Sequence, residues 1–300
     1  MALSLSARQR VLFVILCIVW GTTWLAMKEG VAVVPPGVFG GLRWTVGGVV
    51  LLAWLRSRGE SIRFPLRLTG RLLGVAVLMI SFNNLVMLYG MRYVGSGLAA
   101  VLASALTPIG LLGFSVVAGQ ERYTHRQAGA IALGIGGLLL LFGPKAVAGR
   151  QDTAELLGAL GVIVGCLAYC AGSVLARPLM RTLPPALMAA TTNFMGGAIL
   201  LVLSIAFEPG AGAALSGNWG ITAWAAWLYL LLPGSLGATV IYFLLVRDWG
   251  ASRTGTYAFV SPIIAVLLGS LLLGERMEPL DVAGMALMLA AAGLVLRRKP

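Results

Sequence analysis

The sequence predicts an all-α integral membrane protein with ten transmembrane helices, arranged as two inverted repeats of five helices. Three observations predict it: an apolar composition, ten apolar runs of spanning length, and residues that recur in order in the second half. Of the 300 residues, 59% are hydrophobic and 11% are charged, and the mean hydropathy is +0.94. A soluble domain carries about a quarter charged residues. We therefore expect the surface of this chain to face lipid.

Each predicted span is long enough to cross the apolar core of a bilayer, which takes about 20 helical residues. The runs are continuously apolar and do not alternate every second residue, which excludes spanning β-strands. The loops between them are short, so no soluble domain is expected. The ten predicted spans cover residues 10–28, 36–55, 72–91, 96–118, 127–143, 156–175, 186–207, 221–245, 251–273 and 280–297.

The distribution of basic residues predicts the orientation. Arg8 and Arg10 precede the first apolar run as in a signal peptide, but that run continues to Met27 with no small-residue cleavage site. It is interpreted as a retained span. Lys and Arg collect in cytoplasmic loops, and sixteen of them fall on the side of the N-terminus against five on the other. Both termini are therefore predicted to lie in the cytoplasm, with the chain in a bacterial plasma (inner) membrane.

Similar residues recur in the same order along the two halves, which predicts an internal repeat. The run TPIGLLGFSVVAGQER (107–122) recurs as SPIIAVLLGSLLLGER (261–276), 154 residues later. We predict a first repeat over residues 1–148 and a second over 149–300. Five spans per repeat is an odd number, so the second repeat is upside down, as in alternating-access transporters. Pairs that recur 149 residues later are Pro35-Pro36 with Pro184-Pro185, Gly47-Gly48 with Gly196-Gly197, and Leu51-Leu52 with Leu200-Leu201.

Polar and aromatic side chains inside the spans mark a candidate solute path, because such groups are costly in lipid. We predict a central cavity in which aromatic rings contact the apolar part of a solute while amides and hydroxyls bond its polar end. The alternative is that these side chains pack against and bond neighbouring helices. The candidates are Trp20, Thr23, Trp24, Asn83, Asn84, Met87, Thr107, Tyr169, Ser173, Thr239, Tyr242, Tyr257 and Ser261.

One proline lies well inside the fourth span of each half. It is Pro108 in the first half and Pro262 in the second. A proline there removes a backbone hydrogen bond and kinks the helix. The carbonyls it frees, on Ser104 and Ala258, are tolerated where protein or a water-filled cavity satisfies them. We expect these prolines to act as hinges, one for each gate.

Arg43 is the one basic residue well inside a predicted span, and its counterpart Thr192 carries no charge. In one interpretation Arg43 meets a carboxylate of the substrate. In the other, which is favoured, its side chain extends to the outer interface or bonds carbonyls at a helix end.

Other classes of site and function find little support. Cys17, Cys166 and Cys170 lie in apolar runs and are interpreted as reduced packing residues, since no His or carboxylate lies nearby to bind a metal with them. No phosphate-binding loop occurs, and no cofactor is predicted. A membrane-embedded enzyme acting on lipid-borne substrates would need paired carboxylates, a Ser/His pair or metal ligands within the spans, which hold none of these. A receptor or scaffold would gain nothing from an inverted repeat.

The chain resembles the EamA family of the drug/metabolite transporter superfamily. The resemblance is carried by WGTTWLAMK (20–28), by the PP, Arg and GG of the second span, and by the S/T-P-I…GER pattern of the fourth and ninth spans. It covers nearly the whole chain and is close to the YddG-type amino-acid exporters. It implies export of amino acids, aromatic and other neutral ones included; another metabolite or drug class on the same fold is the alternative. The expected partners are a small-molecule solute and the lipid bilayer, not nucleic acid, and we expect a functional monomer.

Overall fold

A computed structural model describes residues 5–94, 96–147, 153–261, 263–264 and 279–296, and within these ranges every regular element is helical. Up to residue 147, a single 3₁₀ turn (Leu66–Leu68) precedes the third helix. The helices of this part are α1 (Leu5–Val33), α2 (Pro36–Ser57), α3 (Thr69–Ala76), α4 (Asn83–Tyr93), α5 (Ser96–Val117) and α6 (His125–Val147).

The part of the chain after residue 152 again consists mainly of long helices. Two short helices lie in the connections between them. Its helices are α7 (Thr153–Leu179), α8 (Pro185–Phe207), α9 (Ala211–Ala214), α10 (Gly220–Tyr229), α11 (Thr239–Trp249), α12 (Ala251–Thr254), α13 (257–261 with 263–264) and α14 (Pro279–Leu296).

Among the described residues, five stretches are long and apolar enough to cross a membrane, and two shorter apolar helices accompany them. The chain is therefore an all-helical membrane protein, while the count of ten spans and the side on which the termini lie stay predictions. The five stretches are Pro36–Ser57, Leu66–Tyr93, Leu156–Leu179, Pro185–Phe207 and Gly220–Trp249; the two shorter helices are Leu102–Val117 and Val282–Leu294.

Two of these stretches contain a π-helical segment that the hydropathy pattern does not reveal. Val77–Phe82 joins α3 to α4, and Leu230–Ala238 joins α10 to α11. The first segment, moved along the chain by 155 residues, falls inside the second. Pro233 has no N–H to donate to the helix in the second segment. π segments occur mostly as single wide turns inside α-helices, frequently at functional sites.

The prediction of one continuous helix over 251–273 is wrong at its beginning. The chain turns at Gly255 and Thr256 between α12 and α13, where Ala258 N–H bonds the Gly255 carbonyl at 3.0 Å. A side chain at position 255 would overlap Leu111 of α5, so glycine permits this close approach. The rest of that predicted span, residues 265–278 with Glu275-Arg276, lies outside the described residues.

The α2–α8 crossing is the most extensive helix contact in the described structure. Each helix contributes a glycine that faces the backbone of the other. A Cβ at Gly48 would overlap the backbone of Phe194, and a Cβ at Gly197 would overlap the backbone of Thr45. Each residue of these two contacts lies 149 positions from its counterpart in the other. Small residues at such crossings let membrane helices approach closely.

One end of the bundle holds the N-terminus of α1 and the C-termini of α5, α7 and α11. We call it the basic end. Gln9 donates to the Asp248 carboxylate at 2.9 Å, and Trp249 donates to Gln9 at 3.0 Å. Arg177 donates to the Gln120 carbonyl at 3.5 Å. These bonds tie helices from both parts of the chain together at this end.

The apolar core is divided between the two ends of the bundle. One cluster, which includes Leu16, Leu179 and Leu245, fills the basic end. A second cluster, which includes Val38, Leu88 and Trp227, fills the opposite end. The cavity described next lies between the two clusters, because its walls include residues that pack against each of them.

Candidate solute-binding cavity

A cavity of about 170 Å³ lies at the middle of the bundle, between the two apolar clusters. Helices from both parts of the chain form its wall. Eleven of the predicted candidates line it: Trp20, Thr23, Asn83, Asn84, Met87, Thr107, Tyr169, Thr239, Tyr242, Tyr257 and Ser261.

One described candidate, Ser173, does not line the cavity. Ser173 lies one helical turn beyond Tyr169 toward the basic end; it is fully buried and its hydroxyl bonds the Tyr242 hydroxyl. Ser173 therefore positions Tyr242 and does not line the cavity. Trp24 belongs to α1, and its side chain lies outside the described part of the structure.

Four rings cover the side of the cavity that faces the basic end. We call them the aromatic floor: Trp20, Tyr169, Tyr242 and Tyr257. Trp20 contacts all three tyrosines, with ring centroids 6.4 Å from Tyr169, 5.1 Å from Tyr242 and 4.5 Å from Tyr257. All four rings pack in or against the apolar cluster of the basic end. Edge-to-face and tilted contacts of this kind stabilise aromatic clusters by about 0.5–1.5 kcal/mol per pair beyond area burial.

The amides and hydroxyls of the cavity wall are mostly bonded to their own helices. Asn83 donates to the Met79 carbonyl at 3.1 Å, and Asn84 donates to the Ile80 carbonyl at 2.8 Å. Thr239 donates to the Gly234 carbonyl at 3.2 Å, five residues earlier. These three residues directly follow the two π segments, and their side chains satisfy carbonyls within the wide turns. The same two segments thus place matching polar groups on opposite sides of the cavity.

Two oxygen atoms of cavity-lining residues have no hydrogen-bond partner within the described residues. They are Asn83 Oδ1 and the Tyr169 hydroxyl, and both atoms are buried. Unsatisfied buried polar atoms are uncommon in a folded protein.

The position of Arg43 contradicts the interpretation favoured from the sequence, in which its side chain extends to the outer interface or bonds carbonyls at a helix end. Its side chain does not extend to the outer surface: it is 6% exposed and lines the cavity. The guanidinium carbon lies 4.4 Å from the centroid of the Trp44 ring. The Trp44 indole in turn donates to Asn84 Oδ1 at 3.1 Å. Arg43 therefore belongs to the wall, next to the predicted polar groups.

The prolines relate to the cavity through the carbonyls that they free. Pro108 lies inside α5, and Ser104, whose carbonyl it leaves without its usual helical donor, lines the cavity. Ala258, the corresponding residue in the second half, lines the same cavity, whereas Pro262 lies outside the described residues. Ser104 and Ala258, which correspond in the predicted repeat, thus both line the cavity.

The apolar residues of the cavity wall are not predicted from the sequence. These residues carry no polar signal inside an apolar helix, so composition gives no means of separating them from ordinary packing residues. Cys166 has a recognisable position, because its thiol lies 3.3 Å from the Thr107 hydroxyl. The missed lining residues are Met27, Trp44, Met79, Ile80, Ala103, Cys166, Gly234 and Phe243.

Comparison with known proteins identifies relatives over almost the whole chain. The sequence pattern of the EamA-like transporter family matches residues 10–143 and again 156–297. An uncharacterized inner membrane transporter of Escherichia coli K12, YedA, is 30% identical over 282 residues, covering 93% of this chain and 88% of YedA. An uncharacterized transporter of Bacillus subtilis 168, YoaV, is 30% identical over 262 residues, covering 86% of each protein.

The fold also occurs among solved crystal structures. One of them superposes with a TM-score of 0.79 over 96% of each chain, at 19% sequence identity. These likenesses do not single out the YddG-type amino-acid exporters within the matched family.

Proposed function

Because the chain belongs to the EamA-like transporter family, we propose that it is a secondary transporter that exports small metabolites across the bacterial inner membrane. We propose neutral amino acids, aromatic ones included, as its solutes. The observation that carries this proposal is the central cavity, whose wall combines an aromatic floor with amide and hydroxyl groups from both parts of the chain. Pockets of this kind bind small molecules through apolar contact and a few polar groups that fix orientation.

The proposed mechanism is alternating access by two inverted halves, residues 1–148 and 149–300. Three features support it: the family pattern matches twice, the π segments correspond, and the glycines of the α2–α8 crossing are reciprocal. In an inverted repeat, exchanging the conformations of the two halves moves the opening of the cavity from one side of the membrane to the other.

The basic end is the proposed cytoplasmic side. Sixteen basic residues are predicted there against five on the opposite side, which follows the usual charge bias of membrane proteins. Export then requires this end to open so that the solute can enter from the cytoplasm. The aromatic floor and the bonds between Gln9, Asp248 and Trp249 lie on that route.

The size of the cavity favours a metabolite over a bulky drug. Sites for drug-sized ligands occupy roughly 300–1,000 Å³, whereas this cavity measures about 170 Å³. The wall supplies six aromatic side chains and no described carboxylate, so a compact solute with an apolar or aromatic body suits it. Family membership also favours transport over an enzyme acting on lipids.

The test is transport by the purified protein in liposomes. Vesicles are loaded with unlabelled phenylalanine, leucine, alanine or lysine, and counterflow of the labelled amino acid is measured against protein-free vesicles. We expect counterflow of the neutral amino acids, largest for phenylalanine and leucine. Absence of flux for the whole panel, from protein that is monodisperse before reconstitution, would contradict the proposed solutes. Flux of other metabolites in the same vesicles would then identify the alternative.

A further inference from the structure

Arg43 is a buried charge for which the described structure provides no counter-charge. Its side chain is 6% exposed, and its Nε atom makes no hydrogen bond. The Trp44 ring, 4.4 Å away, offers the face of a π system to the guanidinium. Such a contact does not replace an ion pair, because an isolated buried charge is strongly disfavoured unless paired.

The described carboxylates are used elsewhere. No acidic side chain lines the cavity within the part of the chain that the structure describes. Glu208, beside α2, accepts the Gly37 N–H at 3.0 Å and bonds the Ser204 hydroxyl, so it is held at the beginning of that helix. Within the described residues, the cavity wall therefore carries one positive charge and no negative charge.

The position of this charge is fixed by its neighbours. Trp44 donates to Asn84 Oδ1, and Asn84 donates to the Ile80 carbonyl at 2.8 Å. The ring under the guanidinium is thus held by a bonded chain that ends in the backbone of a π segment. A preorganised guanidinium presents parallel N–H donors in the geometry that a carboxylate accepts.

The second half offers no equivalent charge. Thr192, which corresponds to Arg43 in the repeat, is fully buried, and its hydroxyl donates to the Met188 carbonyl at 2.6 Å. Among the residues that the structure describes, the cavity wall therefore has one cationic side chain and not two. A bound solute must place its anionic group on the Arg43 side, whatever the symmetry of the surrounding helices.

We propose that Arg43 recognises the carboxylate of the transported solute. The solute class is then a zwitterionic α-amino acid, or a monocarboxylate with an apolar body, and cations of the same size are rejected. This inference rests on the proposed role of the cavity as the solute site. It adds a preference for solutes with a carboxylate over cations, which the aromatic floor alone does not provide.

The test compares three ligands with one phenyl ring and similar chain length: phenylalanine, 3-phenylpropionate and 3-phenylpropylamine. Binding to the detergent-purified wild-type protein is measured by calorimetry and by the rise in melting temperature. We expect phenylalanine and 3-phenylpropionate to bind about ten- to one-hundredfold more tightly than the amine, the range expected for a hydrogen-bonded charge. Equal binding of the acid and the amine, or no binding of either acid, overturns the proposal.

Variants separate recognition from a structural role. Arg43→Met removes the charge and keeps an unbranched stem, and Arg43→Lys keeps the charge. Arg58→Met is the matched control, because Arg58 also lies over a tryptophan ring, Trp54, at 5.6 Å, but on the exposed surface. We expect Arg43→Met to lose the preference for acids, Arg43→Lys to retain part of it, and Arg58→Met to behave as wild type.

Stability gives the second readout. If Arg43 serves the solute, Arg43→Met melts no lower than wild type without ligand and loses the ligand-induced rise. A variant that melts lower while keeping the preference for acids overturns the proposal. If Arg43→Met does not fold, the wild-type comparison of acid and amine still decides. Acid-selective binding without counterflow would support this inference and contradict the proposed transport of amino acids.

Discussion

The ring of Trp20 meets the ring of Tyr257 edge-on, with 4.5 Å between centroids and 74° between the ring planes. The contact joins α1 to α13 and closes one side of the aromatic floor. Two further tyrosines, Tyr169 and Tyr242, contact the same indole. Trp20 and Tyr242 each contact every other member of the floor.

Replacing Trp20 by Ala is expected to change selectivity without preventing insertion. The variant loses the aromatic surface under a solute, so flux of phenylalanine should fall about three- to tenfold relative to alanine. Trp20→Phe should retain most of the preference. Trp54→Ala, on an exposed ring, is the control. Counterflow in liposomes measures the ratio, and an unchanged ratio in Trp20→Ala would remove this residue from the site.

The glycines of the α2–α8 crossing predict a difference in stability. Gly48→Ala and Gly197→Ala each place a methyl group against backbone, which is expected to cost about 1–3 kcal/mol. That exceeds the roughly 0.5–1 kcal/mol that Ala gains over Gly in a helix. Gly113→Ala and Gly136→Ala meet nothing within 4 Å and should be neutral or stabilising. Thermal unfolding in detergent checks all four, and equal melting temperatures would show that the crossing yields easily.

The proline inside α5 predicts opposite effects on stability and on transport rate. Pro108→Ala restores an N–H that can bond the Ser104 carbonyl, so the helix should straighten, melt higher and exchange solute several-fold more slowly. Pro178→Ala is the control, because Pro178 lies in the last turn of α7 at the basic end. The measurements are melting temperature and initial counterflow rate. Wild-type rates in both Pro108→Ala and Pro262→Ala would mean that the prolines shape the cavity without gating it.

The Glu121 carboxyl, in the loop after α5, is expected to make the stability of the folded state depend on pH. Burial raises the pKa of its carboxyl, against the opposing effects of the Ser252 N–H, at 3.4 Å, and of Arg177. The folded state therefore holds this proton more tightly than the unfolded state. The stability that this adds is fully present below the ordinary pKa of 4.5 and is lost as pH rises through the raised folded pKa.

Glu121→Gln removes this titration. The wild-type melting temperature, taken relative to that of the variant, should therefore decline as pH rises above about 4.5 and then level off. Melting curves at a series of pH values test it. The control is Glu60→Gln, at an exposed carboxylate near Arg58. A wild-type advantage that grows with pH would contradict the burial argument.

The sequence predicts most of the fold because the helices are long and apolar, and their ends carry proline, glycine or charged residues. Pro36 and Pro185 each begin a helix, as their positions in the repeat predict. Trp20 and Tyr169, 149 residues apart, meet across one cavity, as the repeat also predicts. The sequence VLMISF contains neither proline nor glycine to mark its π segment, whose wide turn depends on hydrogen bonds that spacing does not show.

The sequence also does not predict the direction in which a side chain points inside the bundle. Hydropathy places Arg43 at mid-span but does not tell whether its stem turns toward lipid or toward the cavity. That choice depends on the packing of Trp44 against Asn84, forty residues away. Ser173 shows the converse case: it shares a helix face with Tyr169, yet the Tyr242 hydroxyl separates it from the cavity.

The reciprocal glycines of the α2–α8 crossing have a consequence for how such a chain can originate. Gly48 meets Phe194 and Gly197 meets Thr45, so each side of the contact presents the residues that correspond to those of the other side. A contact of that kind is isologous, the type formed by two identical subunits about a twofold axis. If the two halves are inverted as proposed, one repeat unit present in both orientations would supply both sides of this crossing. The crossing has the geometry of a homodimer interface within one polypeptide.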